Sequence, residues 1–201
     1  MRKEDTPSFL AHFLGVRAAP LIQSFRDWGE RMDHLNAANR GLGAGLDPVA
    51  DHFSYKCREV REYDELRSRF EEHSDDGWRA SRFVYQSIIS GRRVAVIGLV
   101  DPIVTPLGDL RVLELAEPKP MSAAPDGFDH VEISTRQKLE FMVHCINDTI
   151  GMKSPLVKKG RPHHTTWDAV IMPDRRRKGR QPFILRLNDA PLVEKIGREM
   201  L

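Results

Sequence analysis

Cysteine is scarce in this chain of 201 residues: Cys57 and Cys145 are the two present, which argues against a disulfide framework and fits a reducing compartment. No apolar run approaches the roughly 20 residues that a membrane span needs. The opening Met1-Arg2-Lys3-Glu4-Asp5 and His12 in the stretch after it argue against a secretory signal, so a cytoplasmic location is expected. Charge of one sign is missing too, since the formal net charge is +2, and neither nucleic acid nor an acidic membrane is an expected partner. A glycine-rich phosphate loop, a Ser-His-Asp arrangement and a paired-cysteine zinc motif are also absent.

What is present is a phrase that occurs twice. Ala50-Asp51-His52-Phe53-Ser54-Tyr55 and Phe128-Asp129-His130-Val131-Glu132-Ile133 both read Asp-His followed by alternating apolar and polar residues. That alternation marks a strand with one apolar face. The surroundings repeat as well. The first strand, 51–57, leads to a helix over 60–73 and strands over 83–89, 93–99 and 110–115. The second, 130–134, leads to a helix over 136–150, a loop-like segment over 151–160, and strands over 166–172 and 182–187. Val112-Leu113-Glu114-Leu115 answers Ile184-Leu185-Arg186-Leu187, and Ala95-Val96-Ile97 answers Ala169-Val170-Ile171. A repeat of this kind predicts an α+β protein made of two fused βαβββ modules. Ahead of them, apolar residues at three- and four-residue spacings from Phe9 to Met32 predict a helical extension over 7–36. The expected divisions are 1–46, 47–120 and 121–201, forming one globular unit.

Side chains two apart on a strand share a face. His52, Ser54 and Lys56 therefore point one way, as do His130, Glu132 and Ser134. Glu114, between Leu113 and Leu115, puts a carboxylate on the face opposite its apolar neighbours. Two imidazoles and a carboxylate suit a divalent ion such as Fe, Mn, Ni or Zn. Either histidine alone is better explained by a strand cap bonded to a nearby loop; the matched pair favours metal ligation. Glu132 is a candidate second ligand or catalytic base. Lys56 is a candidate substrate contact. His163 and His164, just before the Trp167 strand, are candidates for the cleft mouth. The basic run Asp174–Arg180 lies between two strands and is expected to be a solvated hairpin.

The phrases Ala50–Cys57 and Gly127–Ile133, on a duplicated βαβββ unit, resemble the vicinal oxygen chelate superfamily of glyoxalase I, extradiol dioxygenases and bleomycin-resistance proteins. Within it they look most like the YecM-like proteins, metal-binding members with a helical N-terminal extension. The resemblance implies modules whose curved sheets enclose a cleft, with the metal held by the first and last strands of each. Carried over residue by residue, the ligands fall on His52, Glu114 and His130, and the fourth position on Arg186. Arginine cannot ligate a cation, so four-ligand glyoxalase chemistry is in doubt. The resemblance then implies a metal-dependent isomerase, lyase or dioxygenase that chelates a small anionic metabolite, oriented by Arg186; a non-catalytic binding protein using the same cleft is the alternative. Arg186 could instead pair with Glu114 in a metal-free salt bridge. Fused modules complete such a cleft within one chain, so a monomer suffices.

Overall fold

The computed structural model describes residues 19–41, 47–72, 80–89, 91–119, 127–135, 137–149, 156–161, 164–172, 178 and 181–199. In chain order the elements are α1 (Ala19–Gly41), β1 (Val49–Lys56), α2 (Val60–Glu71), β2 (Ser81–Ile89), β3 (Arg92–Thr105), β4 (Gly108–Ala116), β5 (Gly127–Ser134), α3 (Leu139–Thr149), β6 (Val157–Arg161), β7 (His164–Ile171), β8 (Phe183–Asn188) and α4 (Leu192–Glu199). The part of the expected N-terminal helix before residue 19 lies outside the described residues, as does the expected 174–180 hairpin apart from Lys178.

The eight strands form one mixed sheet in the order β2-β3-β4-β1-β5-β8-β7-β6. Its two halves are the expected βαβββ units, joined where β1 and β5 pair antiparallel. Within each half the first strand lies parallel to the last: β1 to β4 and β5 to β8. His52 faces Val112 in one pair and His130 faces Ile184 in the other, so Glu114 and Arg186 hold equivalent places, as the sequence repeat indicated.

Alternation sorts the strands into two faces. Phe53, Leu113, Leu115, Val131, Ile133, Leu185 and Leu187 are fully buried in one continuous core with Tyr63 and Phe70 of α2 and Met142 and Ile146 of α3. Fully burying a side chain of this size is worth about 1.5–3 kcal/mol, so this face fixes the register of the central strands. α1 lies across the joint, touching β3 of the first half and β8 of the second. Its Phe25 and Trp28 meet the Phe183 ring edge-on at 6.0 and 6.5 Å, and Arg26 Nε donates to the Val104 carbonyl at 3.0 Å.

Three departures from the sequence reading have local causes. The segment 157–161, expected as part of a loop, is the edge strand β6. Its Val-Lys-Lys-Gly-Arg has no apolar alternation, because an edge strand need not bury a face and lysine there discourages further pairing. β3 continues past the expected end at Leu99 to Thr105, with a register irregularity between Gly98 and Ile103 where Asp101-Pro102 interrupts the apolar pattern. The short helix α4 was not anticipated; its Leu192 N–H donates to Asp51 Oδ2 at 2.9 Å.

Candidate metal centre

On the face opposite the core, strand register brings together residues far apart in sequence. One row runs Phe83, Gly98, Val112, His52, Glu132, Arg186, Asp168 across β2, β3, β4, β1, β5, β8 and β7. The next runs Tyr85, Val96, Glu114, Ser54, His130, Ile184, Val170. The two histidines are thus one step apart on the two central strands, with ring centroids 5.7 Å apart. His52, His130, Glu132 and Asp168 are all buried.

Each histidine is fixed by the aspartate before it. His52 Nδ1 lies 3.2 Å from Asp51 Oδ2, and His130 Nδ1 lies 3.1 Å from Asp129 Oδ2. A carboxylate on Nδ1 holds a proton there, so that in the neutral ring Nε2 is the electron-pair donor, as in metal-ligating histidines. The aspartates are themselves tied down: Asp51 by the start of α4, and Asp129 by Lys56 Nζ at 2.7 Å. Burial raises the Asp129 pKa, but the bonds from His130 and Lys56 outweigh it and hold the carboxyl below its ordinary range.

The carboxylates are oriented in the same manner. Asn188 Nδ2 donates to Glu132 Oε1 at 2.8 Å, and Ser54 Oγ donates to Glu114 Oε1 at 2.9 Å. Their other oxygens face His52 Nε2, at 3.8 Å for Glu132 and 4.0 Å for Glu114. Both distances are too long for hydrogen bonds. His52 Nε2 has no hydrogen-bond partner among the described residues and is buried. Burial lowers the His52 pKa, but Glu132, Asp51 and Glu114 together push it up to about 9. Glu114 is also surrounded: burial raises its pKa, and His130, His52, Ser54 and Arg186 bring it below its ordinary value. The surroundings of the His52 ring therefore carry negative potential.

His52, His130 and Glu132 each offer one ligand atom, and these atoms all lie within 4.8 Å of one another. A buried, unpartnered Nε2 next to a second imidazole and a carboxylate is a donor set that fits a divalent cation. Glu132, expected as a base or second ligand, is the carboxylate of this triad. Glu114 stands beside it on the same face.

Arg186 has a different partner from the Glu114 of the alternative, metal-free reading. Its Nε and Nη2 bond Asp168 Oδ1 and Oδ2 at 2.9 and 3.0 Å, so its salt bridge is with Asp168 and not with Glu114. Its third nitrogen, Nη1, lies 3.0 Å from His130 Nε2. Asp168 was missed because the alignment of Ala95-Val96-Ile97 with Ala169-Val170-Ile171 was two residues out of step. Val96 faces Glu114 and Asp168 faces Arg186, so Val96 and Asp168 are the equivalent residues. A slip of two keeps every side chain on its own face, so alternation cannot detect it. Lys56, a candidate substrate contact in the sequence, pairs with Asp129 at 2.7 Å. His163 lies outside the described residues, and of His164 only the backbone is described, opening β7.

The sequence profile of the family described as YecM protein matches residues 21–167. Among solved structures, one titled Protein EC4020, from structural genomics, is 19% identical with a TM-score of 0.56, covering 86% of this chain and 89% of that one. At that identity the likeness shows the fold. A methylmalonyl-CoA epimerase from Mycobacterium tuberculosis (12% identity, TM-score 0.41, 73% and 91% coverage) is more remote. So is one from Streptomyces coelicolor (14%, 0.37, 71% and 98%). Neither is close enough to carry an argument about this chain. No curated protein matches the sequence. With the profile spanning well over half of its length, and with the paired βαβββ units expected of the vicinal oxygen chelate superfamily, the chain belongs to the YecM family.

Proposed function

We propose that this protein is a divalent-metal-binding enzyme that takes a small anionic substrate through vicinal oxygens. The observation that carries the reading is His52 Nε2, buried without a hydrogen-bond partner among the described residues and facing Glu132 Oε2 at 3.8 Å and Glu114 Oε2 at 4.0 Å. Leaving a buried polar atom unsatisfied costs about 1–3 kcal/mol, and a bound cation satisfies the imidazole and the carboxylates together. His52, His130 and Glu132 are the ligands in this reading, with Glu114 in reserve on the same face.

When bound, such an ion polarises substrate oxygens and stabilises the negative charge that develops on them. The protein's own part is orientation. Asp51 and Asp129 aim the imidazoles, while Asn188 and Ser54 aim the carboxylates. Arg186, whose side chain is 27% exposed, is the cation that a substrate carboxylate would meet. Isomerase, lyase and dioxygenase chemistry share this first step, and the donor set does not choose among them.

The test is metal analysis of protein purified without an affinity tag, combined with thermal unfolding after ions are added. About one bound ion per chain, or stabilisation by Mn, Fe, Ni or Zn, is expected. Absence of both would overturn the reading.

A further inference from the structure

We propose that Arg186 is a built-in competitor for the metal centre, holding the His130 Nε2 electron pair that a cation would need. The inference rests on the metal reading above and adds to it what limits the affinity of the site.

A neutral imidazole has one in-plane electron pair to give. His130 Nδ1 faces Asp129, so the pair is on Nε2, and Arg186 Nη1 lies 3.0 Å from it. The contact is not that of a wandering side chain. Asp168 grips the guanidinium through two parallel bonds of 2.9 and 3.0 Å, and the planar fork leaves Nη1 directed at His130. Among the described residues His52, the equivalent histidine, has no such neighbour: its Nε2 is unpartnered there, and Glu114 and Val96 stand where the second half has Arg186 and Asp168. The two halves thus differ at a matched pair of positions. One half presents an open nitrogen and a carboxylate; the other presents a nitrogen capped by an anchored cation.

The decisive variant removes both members of the Asp168–Arg186 pair, leaving the net charge unchanged. A gain in cation affinity is then not the result of a change in net charge. In Asp168→Val with Arg186→Met, the dissociation constant for Mn(II) or Zn(II), measured by competition with a fluorescent chelator, is expected to fall at least tenfold relative to wild type. Asp168→Val with Arg186→Glu, which copies the Val96–Glu114 pair into the second half, is expected to bind more tightly still. Circular dichroism checks that each variant is folded, and Asp168→Asn with Arg186→Gln is an uncharged polar substitute for the first.

Unchanged or weaker binding by the folded double variants, with wild type binding the ion, overturns the competition and leaves the metal reading intact. No binding by wild type or any variant overturns both. In wild-type protein without added metal, imidazole nitrogen NMR should find His130 Nε2 unprotonated and hydrogen-bonded. A proton on that nitrogen would overturn the proposal without recourse to any variant.

Discussion

The Asp-His dipeptide does more than open a strand. In both halves the aspartate binds Nδ1 of the histidine that follows it, and a second group binds the aspartate. Partners of this kind outside the ligand shell typically contribute 10–100-fold to metal affinity. Asp51→Asn and Asp129→Asn are each expected to weaken binding by about that factor, as read by chelator competition; unaltered affinity would show that the aspartates only cap their strands. The Lys56–Asp129 pair gives a pH signature. Burial raises the Asp129 pKa, but the bonds from His130 and Lys56 lower it further, so its folded value is depressed. A depressed carboxyl contributes stability above its unfolded pKa of about 3.9, and that contribution is lost as pH falls towards the folded value. Lys56→Met is therefore expected to cost about 1.5–3 kcal/mol at pH 7 and progressively less as the pH falls below about 3.9. Urea unfolding at neutral and acid pH measures both, and an equal cost at each would contradict the assignment.

At the scale of elements, legibility followed burial. β1, β4, β5 and β8 were readable because their core-side residues are fully buried and alternate without interruption: Phe53, Leu113 and Leu115, Val131 and Ile133, Leu185 and Leu187. β6 was not, since Lys158 is exposed at the sheet edge and the strand shows no alternation. α1 was readable from its apolar spacing, but not its role as a brace across both halves. Phe25, fully buried between Trp28 and Phe183, is the test of that role. Phe25→Ala is expected to cost about 3–5 kcal/mol through lost transfer energy and the cavity left behind. Denaturant unfolding measures the cost; a loss under 1 kcal/mol by the same scale would mean that the helix is not part of the core.

For the whole molecule, the site lies on its pseudo-symmetric centre. His52 comes from β1 and both His130 and Glu132 come from β5, the strands whose pairing joins the halves. A cation held by these three would tie the modules together, so it would act on stability as well. At a free concentration 100 times its dissociation constant, a ligand of the native state adds about 2.7 kcal/mol. At about 2–4 °C per kcal/mol for a domain of this size, the midpoint of unfolding should rise by roughly 5–11 °C, and excess chelator should reverse it. Differential scanning fluorimetry reads this directly.

His52, His130, Glu114 and Arg186 could be picked out from the sequence because each sits in a strand whose period-two pattern assigns it a face, and because the chain states the pattern twice. Alternation assigns faces and repeats assign equivalence; neither specifies distance or rotamer. Only the tertiary structure decided that Glu132 groups with the two histidines, that Asp51, Asp129, Asn188 and Ser54 orient the candidate ligands, and that Asp168 turns Arg186 onto His130. Those contacts join residues on different strands, and which of them meet depends on sheet register. A slip of two residues there leaves every hydrophobic pattern unchanged while exchanging every partner.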